Sequence, residues 1–303
     1  MYALDAVSND GHADLATSLL RGSRISDVSV AADSETMTDT QFFSPPTGSG
    51  HRLAYVQRNA NAASLAAPGV MWLGGFKSDM TGSKAIALDE WAQRMGRAFL
   101  RFDYSGHGVS GGAFVDGSIS AWAADAKAVF DHLTQGPLIL VGSSMGGWIS
   151  CLLAKAHLAE TGEGSRIAGL VLIAPALDFT EELMWSQMDE ATRACIMTEG
   201  YFEKPSAYSD DPYIITKKLI EDGRENLLLG GEVHTGCPVH ILQGQRDDDV
   251  PWMHAIRTVE RIARDDVTLT LVKDGDHRLS TEADLERMIL AVERLVPLQQ
   301  VGG

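Results

Sequence analysis

Basic residues are in short supply in this chain. It has 25 Lys and Arg against 41 Asp and Glu, a formal net charge of −16. Nucleic acid and anionic membrane surfaces both require a basic patch, so this balance argues against either as a partner. It also disfavours strongly anionic substrates at long range. Cysteine is scarcer still: Cys151, Cys195 and Cys237 are an odd set with no CxxC pair. That spacing argues against a disulfide framework and against a zinc site. Cys151 falls in an apolar helical run, Ile149 to Leu153, and reads as core. The thiols fit a reducing compartment, with the cytoplasm as the expected location. Uncharged apolar runs of membrane-spanning length are missing. The opening Met1-Tyr2-Ala3-Leu4-Asp5 lacks the basic and apolar regions of a signal peptide. No internal repeat and no low-complexity tract is evident.

The sequence does contain enough apolar material for a large core, with 45% hydrophobic and 22% charged residues. Residues 1–37 are rich in Ser, Asp, Ala and Gly and read as an N-terminal extension. This arm is a candidate dimerisation element, which makes a homo-oligomer the expectation to test. From residue 38 onward strand and helix signals alternate. Thr38 to Phe43 and Arg52 to Gln57 read as strands, and the Pro45-Pro46-Thr47-Gly48 turn between them suggests an antiparallel hairpin. Val70 to Leu73, Ala98 to Phe102, Leu138 to Val141, Ile167 to Ile173, Val239 to Gln243 and Val267 to Val272 read as further strands. Helical spacing marks Ser83 to Met95, Ile119 to Leu133, Met145 to Leu158, His254 to Ala263 and Thr281 to Leu295.

This alternation calls for an α/β fold: a mostly parallel central sheet with helices on both faces. The core is expected over 38–177 and 237–297. The intervening 178–236 is far longer than a strand-to-helix connection needs. It carries helix-like pieces at about 181–198 and 212–228 and reads as an inserted helical cap or lid. Its Met184, Trp185 and Met188 are candidates for lining a substrate pocket, and an ordinary cap core is the alternative for each.

Two stretches match G-x-S-x-G: Gly142-Ser143-Ser144-Met145-Gly146 and Gly108-Val109-Ser110-Gly111-Gly112. The motif carries chemistry only where the serine sits on a strained turn from strand to helix, its hydroxyl projecting beside a helix N-terminus. Ser144 directly follows a strand and precedes a helix. Ser110 sits in a loop with no helix start behind it. Ser144 is therefore the expected nucleophile. The tetrahedral oxyanion it would create needs two preformed N–H donors. One is expected from Met145, after the nucleophile, and the other from Phe76, after Gly74-Gly75 at an earlier strand end.

A serine hydroxyl needs a base and the base an orienting acid, in the chain order Ser, acid, His. His277, in Asp274-Gly275-Asp276-His277, directly follows the last strand and is the expected base, with His107 as runner-up. His234 and His240 read as cap and strand residues. The acid is expected in Asp247-Asp248-Asp249-Val250-Pro251, with Asp247 preferred as the one nearest its strand. Asp248, Asp249 and Asp178 remain alternatives. Adjacent acids can mark a cation site, but no further ligand spacing accompanies them, so neither a metal nor a cofactor is expected.

With these segments in hand, residues 40–297 resemble the α/β-hydrolase superfamily. Asp103-Tyr104-Ser105-Gly106-His107-Gly108-Val109-Ser110 is similar to its Asp-x-x-Gly-x-Gly-x-Ser segment, which accounts for the second motif. Gly142 to Gly147 resembles the nucleophile elbow. Phe102 to Gly106, Val141 to Trp148, Asp248 to Trp252 and Asp276-His277-Arg278 resemble strings of the branch containing acyl-protein thioesterases and acyl-glucuronide esterases. The resemblance implies Asp247 as the acid, three residues before Val250. It also implies cleavage of a small-molecule ester or thioester through an acyl-enzyme. A serine peptidase or amidase, or a perhydrolase, would use the same residues. A noncatalytic binding protein on this scaffold is the alternative outside enzymes.

Overall fold

The computed structural model describes residues 40–46, 50–204 and 213–296. The expected N-terminal extension, residues 1–37, lies outside them. In chain order the elements begin with β1 (Gln41–Phe43), β2 (Leu53–Arg58), β3 (Gly69–Leu73), α1 (Ser83–Met95), β4 (Phe99–Phe102) and α2 (Ile119–Leu133). They continue with β5 (Leu138–Ser143), α3 (Met145–Thr161), β6 (Ile167–Ile173), α4 (Glu190–Glu199), β7 (Tyr201–Lys204) and β8 (Tyr213–Thr216). The chain then forms α5 (Lys217–Glu225), β9 (Val239–Gly244), α6 (Trp252–Arg261), β10 (Val267–Val272) and α7 (Glu282–Arg294).

Eight strands form one sheet in the order β1-β2-β4-β3-β5-β6-β9-β10. β1 and β2 pair antiparallel, as the Pro-rich turn implies, and β2 runs antiparallel to β4. Every pair from β4 through β3 to β10 is parallel. A parallel sheet is apolar on both faces because helices cover both. On β3, Val70 and Trp72 face one layer while Met71 and Leu73 face the other. On β5, Ile139 and Val141 oppose Leu138 and Leu140 in the same way. α1 and α7 cover the first face, with Leu88, Trp91 and Met288 buried there. α2, α3 and α6 cover the second, with Trp122, Phe130, Trp148 and Ala255 buried.

The strand order has a functional consequence. α1 follows β3 on one face and α3 follows β5 on the other, although β3 and β5 are neighbours. The segments leaving these two strands diverge and open a crevice at the carboxyl edge of the sheet.

Between β6 and β9 the chain departs from the helical pieces expected there. Residues Thr180–Met184 form a π-helical turn and Trp185–Gln187 a 3-10 turn before α4 begins at Glu190. β7 and β8 pair antiparallel, Phe202 opposite Ile215, so a hairpin replaces the start of the second expected helix. Two strands of four residues each are too short for a clear alternation signal, and their stability comes from pairing. The insertion has its own small core of Ile196, Ile215 and Ile220. It is tied to the sheet through Asp178, whose buried carboxylate accepts from the amides of Leu228 (2.8 Å) and Leu229 (2.7 Å).

Candidate active site

Ser144 sits at the tip of β5 with φ 54° and ψ −117°, outside the regions that L-residues favour. Backbone bonds on all sides hold it there. Its N–H donates to Ile173 O (2.9 Å), and its carbonyl accepts from Gly147 (2.9 Å) and Ala176 (3.1 Å). The flanking glycines are a steric requirement: a Cβ on Gly142 would collide with the Gly146 carbonyl, and one on Gly146 with Leu73 O. The motif therefore encodes a turn packed too tightly for side chains, with the serine at its apex.

His277 and Asp247 lie beside it. The Nε2 of His277 is 3.1 Å from Ser144 Oγ, and its Nδ1 is 2.9 Å from Asp247 Oδ2. β10 delivers the histidine and β9 the aspartate. Asp247 is buried and fully engaged. Its Oδ1 accepts from the amides of Asp249 (3.0 Å) and Val250 (2.8 Å), and its Oδ2 also accepts from Gln243 Nε2 (3.0 Å). This network orients the carboxylate toward Nδ1, which then donates its proton and leaves the Nε2 lone pair directed at the serine.

The other candidate acids lie elsewhere. Asp178 holds the insertion, Asp248 is exposed, and Asp249 lines the cleft above the histidine. Asp247, Asp249 and His277 are the one cluster of potential metal-ligating groups among the described residues, with ligand atoms within 4.8 Å of one another. The hydrogen bonds around Asp247 already occupy both of its oxygens. The runner-up base, His107, lies in the Ser110 loop, where its Nε2 accepts from Lys77 N–H. His234 pairs with Asp265 and His240 with Thr270.

Met145 is the first residue of α3, so its N–H has no carbonyl one turn earlier. The segment after β3 runs against the nucleophile: a Cβ on Gly75 would sit 3.4 Å from both Ser144 Cβ and Ser143 O. The Phe76 ring packs edge-on against Phe114 (4.9 Å), Phe179 (5.5 Å) and Trp122 (5.9 Å). The segments that carry the two expected oxyanion donors, Gly75-Phe76 and the start of α3, thus both adjoin Ser144.

A cleft of about 670 Å³ opens over these residues. Its apolar lining includes Phe76, Phe179, Leu183, Met184 and Ile215. Its polar lining includes Ser83 and Lys84 from α1, and Arg278. Of the three expected pocket residues, Met184 lines the cleft. Trp185 and Met188 instead pack against the insertion's own core, and Trp185 lies beneath Arg224 and Arg193.

Two further residues escaped the sequence reading. Gln243, completely buried at the end of β9, bonds Asp247 and two backbone carbonyls; its signal is an amide following the apolar pair Ile241-Leu242, just before Gly244. Lys84 donates its ammonium to the Arg278 carbonyl, bracing the histidine segment. Burial pushes its pKa down to about 8 despite the nearby Asp276. A lone lysine at a helix start gives no sequence signal for this.

Known proteins resemble this chain over most of its length. A family profile described as serine aminopeptidase, S33, matches residues 70–284. The palmitoyl-protein thioesterase ABHD10, mitochondrial, of Bos taurus is 34% identical over 230 residues, covering 76% of this chain and 73% of that protein. The Homo sapiens protein of the same name is 32% identical over 230 residues, with the same shares of both chains. Among solved structures, a candidate hydrolase from Agrobacterium vitis S4 superposes with a TM-score of 0.80 at 47% identity, covering 85% of this chain and 98% of that one. Alpha/beta hydrolase domain-containing protein 10 from mouse gives a TM-score of 0.74 at 31% identity, covering 84% of this chain and 97% of its own.

Proposed function

The chain belongs to the α/β-hydrolase family that the serine aminopeptidase S33 profile describes, and from that premise we propose that it cleaves carboxylic esters and thioesters through an acyl-enzyme on Ser144. One observation carries the reading: Ser144, His277 and Asp247 form a continuous hydrogen-bonded relay, 3.1 and 2.9 Å, on the floor of a partly apolar cleft.

In the first half-reaction Ser144 Oγ attacks the acyl carbonyl while His277 Nε2 takes its proton. The amides of Phe76 and Met145 hold the oxyanion. Asp247 stabilises the imidazolium that forms and remains ionised. His277 then passes the proton to the departing alcohol or thiol. In the second half-reaction water enters, His277 takes its proton, and the acid is released with Ser144 restored.

Segment 178–236 acts as a cap in this reading, and Met184 and Leu183 would contact the acyl chain. The thioester half draws on the relatives named palmitoyl-protein thioesterases and on the apolar lining. Among the described residues, no helix is long and apolar enough to cross a membrane. The free cysteines fit the cytoplasm as a reducing location, while those relatives are named mitochondrial.

The test has two parts. A fluorophosphonate probe should label the protein, and the labelled peptide should contain Ser144. A panel of p-nitrophenyl esters and acyl thioesters of rising chain length should then show turnover, with aminoacyl amides as the peptidase arm. Labelling at another residue, or turnover confined to the amides, would replace this reading.

A further inference from the structure

The Asp103–Gly112 loop carries the serine motif that the chemistry leaves unused, and it also carries His107. That ring is almost completely buried, and both of its nitrogens are engaged. Nδ1 lies 3.2 Å from Ser105 O, and Nε2 lies 3.2 Å from the Lys77 amide nitrogen. A carbonyl can only accept and an amide can only donate, so the tautomer is fixed. Nδ1–H donates to Ser105, and Nε2 accepts from Lys77 N–H.

The support behind this histidine is stiff. The buried Asp125 carboxylate accepts from Ser105 N–H (2.9 Å) and Ser105 Oγ–H (2.6 Å), and Trp122 Nε1 donates to Ser105 O (3.1 Å). Phe114 and Trp122 each meet the imidazole edge-on at 5.1 Å, and Tyr104 does so at 5.6 Å. Burial holds the imidazole pKa down at about 4, against the pull of Asp125, so Nε2 keeps its lone pair at neutral pH.

The bond ends at an unusual place. Lys77 has φ 56°, a left-handed conformation rare for a side-chain-bearing residue. It directly follows Phe76, whose amide is the second oxyanion donor in the reading above. Such a conformation persists only where its surroundings over-determine it, and the His107 acceptor is a fixed point on that turn.

We propose that His107 is the positioning residue of the oxyanion hole: its Nε2 anchors the peptide unit after Phe76 and so aims the Phe76 amide at the developing oxyanion. The inference rests on the acyl-enzyme reading. It assigns a task to a histidine that the triad does not employ.

The test compares His107→Gln, His107→Asn and His107→Phe with the native protein. Gln places an acceptor at the same bond count from Cβ as Nε2, Asn falls short, and Phe keeps the ring but has no acceptor. Each is assayed for kcat and KM on a p-nitrophenyl ester, and for affinity toward a trifluoromethyl ketone, which Ser144 converts to a tetrahedral oxyanion. Removing an oxyanion donor costs on the order of 10²- to 10³-fold in kcat, and misaiming one should cost about 10- to 100-fold. Asn and Phe should lose that much kcat with KM nearly unchanged, and ketone affinity should fall by the same factor. Gln should recover most of both. If the Phe variant does not fold, the Gln and Asn pair makes the same comparison.

Native-like kcat in the Asn variant overturns the inference. So does a Gln variant no better than Asn, or kcat loss without loss of ketone affinity. Ser144→Ala separates this from the parent reading: undiminished turnover there removes both, whereas a dead Ser144→Ala beside a native-like Asn variant removes only the role of His107.

Discussion

Two loops of this molecule spell the same motif and put it to opposite uses. At Ser144 the backbone is strained and the hydroxyl faces His277. At Ser110 the hydroxyl is consumed by the fold: it donates to Asp103 O (2.7 Å) and accepts from the Ala54 amide (2.8 Å), pinning the loop to β2. A buried aspartate serves each serine's surroundings, Asp247 from beyond the end of β9 and Asp103 from the Ser110 loop itself. Asp247 orients a histidine, while Asp103 accepts from the amides of Met80 (2.7 Å) and Val109 (3.0 Å). A hydroxyl whose donor and acceptor capacities are met by backbone contributes stability; one held out of the backbone network on a strained turn is available for chemistry.

Substituting the two serines should break this symmetry most plainly. Ser144→Ala should lower kcat on the order of 10⁶-fold in a p-nitrophenyl ester assay while leaving the protein folded. Ser144→Gly should be equally inactive yet raise the unfolding free energy by about 1 kcal/mol in urea melts, because glycine relieves the positive φ. A less stable Gly variant would mean that the turn stores no strain.

Asp247→Asn should cost about 10⁴-fold in kcat, since an amide cannot fix the same imidazole tautomer or balance its charge. A pH–rate profile of the variant checks this, and native-like turnover would shift the acid to another carboxylate.

The Ser110 loop should reveal itself through pH. The folded pKa of His107, about 4, lies below its ordinary value of 6.5. The unfolded chain therefore takes up the proton first, and folded-state stability falls as pH drops from about 6.5 toward 4. The full shift corresponds to about 3 kcal/mol. His107→Gln should flatten that part of the stability profile, leaving the slope from His157, His240 and His254, whose pKa values burial also lowers, opposed by Asp103 and Asp178, whose pKa values burial raises. An unchanged profile would show that His107 does not titrate there.

Ser110→Ala has the smallest expected effect. It leaves the Ala54 amide without its acceptor and should cost about 2 kcal/mol of stability with kcat within a factor of two. A large kcat loss at full stability would erase the distinction between the loops.

Much of the core was legible because its signals are local and periodic. The bounds expected for α1, α2, β6 and β10 coincide with the observed ones, each set by apolar spacing and a clear stop or cap. Gly96, the residue just past the expected end of α1 at Met95, is left-handed at φ 63°. Thr281, read as the start of the last helix, forms a capping box with Asp284. Segment 178–236 was legible as an excess of length with two helix-like pieces, which overlap α4 and α5 but miss what lies around them. Its π-helical turn and its hairpin depend on pairing and on packing over Ile196, Ile215 and Ile220, which no local period encodes. The inward turn of Trp185 and Met188 follows from that packing.

The sequence by itself therefore determined the order of strands and helices that build the main sheet and the glycine-flanked turn at Ser144, because backbone sterics and apolar periodicity act within a few residues. It preferred Asp247 as the acid and left Asp248, Asp249 and Asp178 as alternatives. Only the tertiary structure decided which aspartate meets His277, that Gln243 and Lys84 brace the site, and that His107 reaches Lys77. Those contacts join residues far apart in the chain. They exist because β3 and β5 are neighbours whose helices leave on opposite faces, and the crevice this opens belongs to the sheet as a whole.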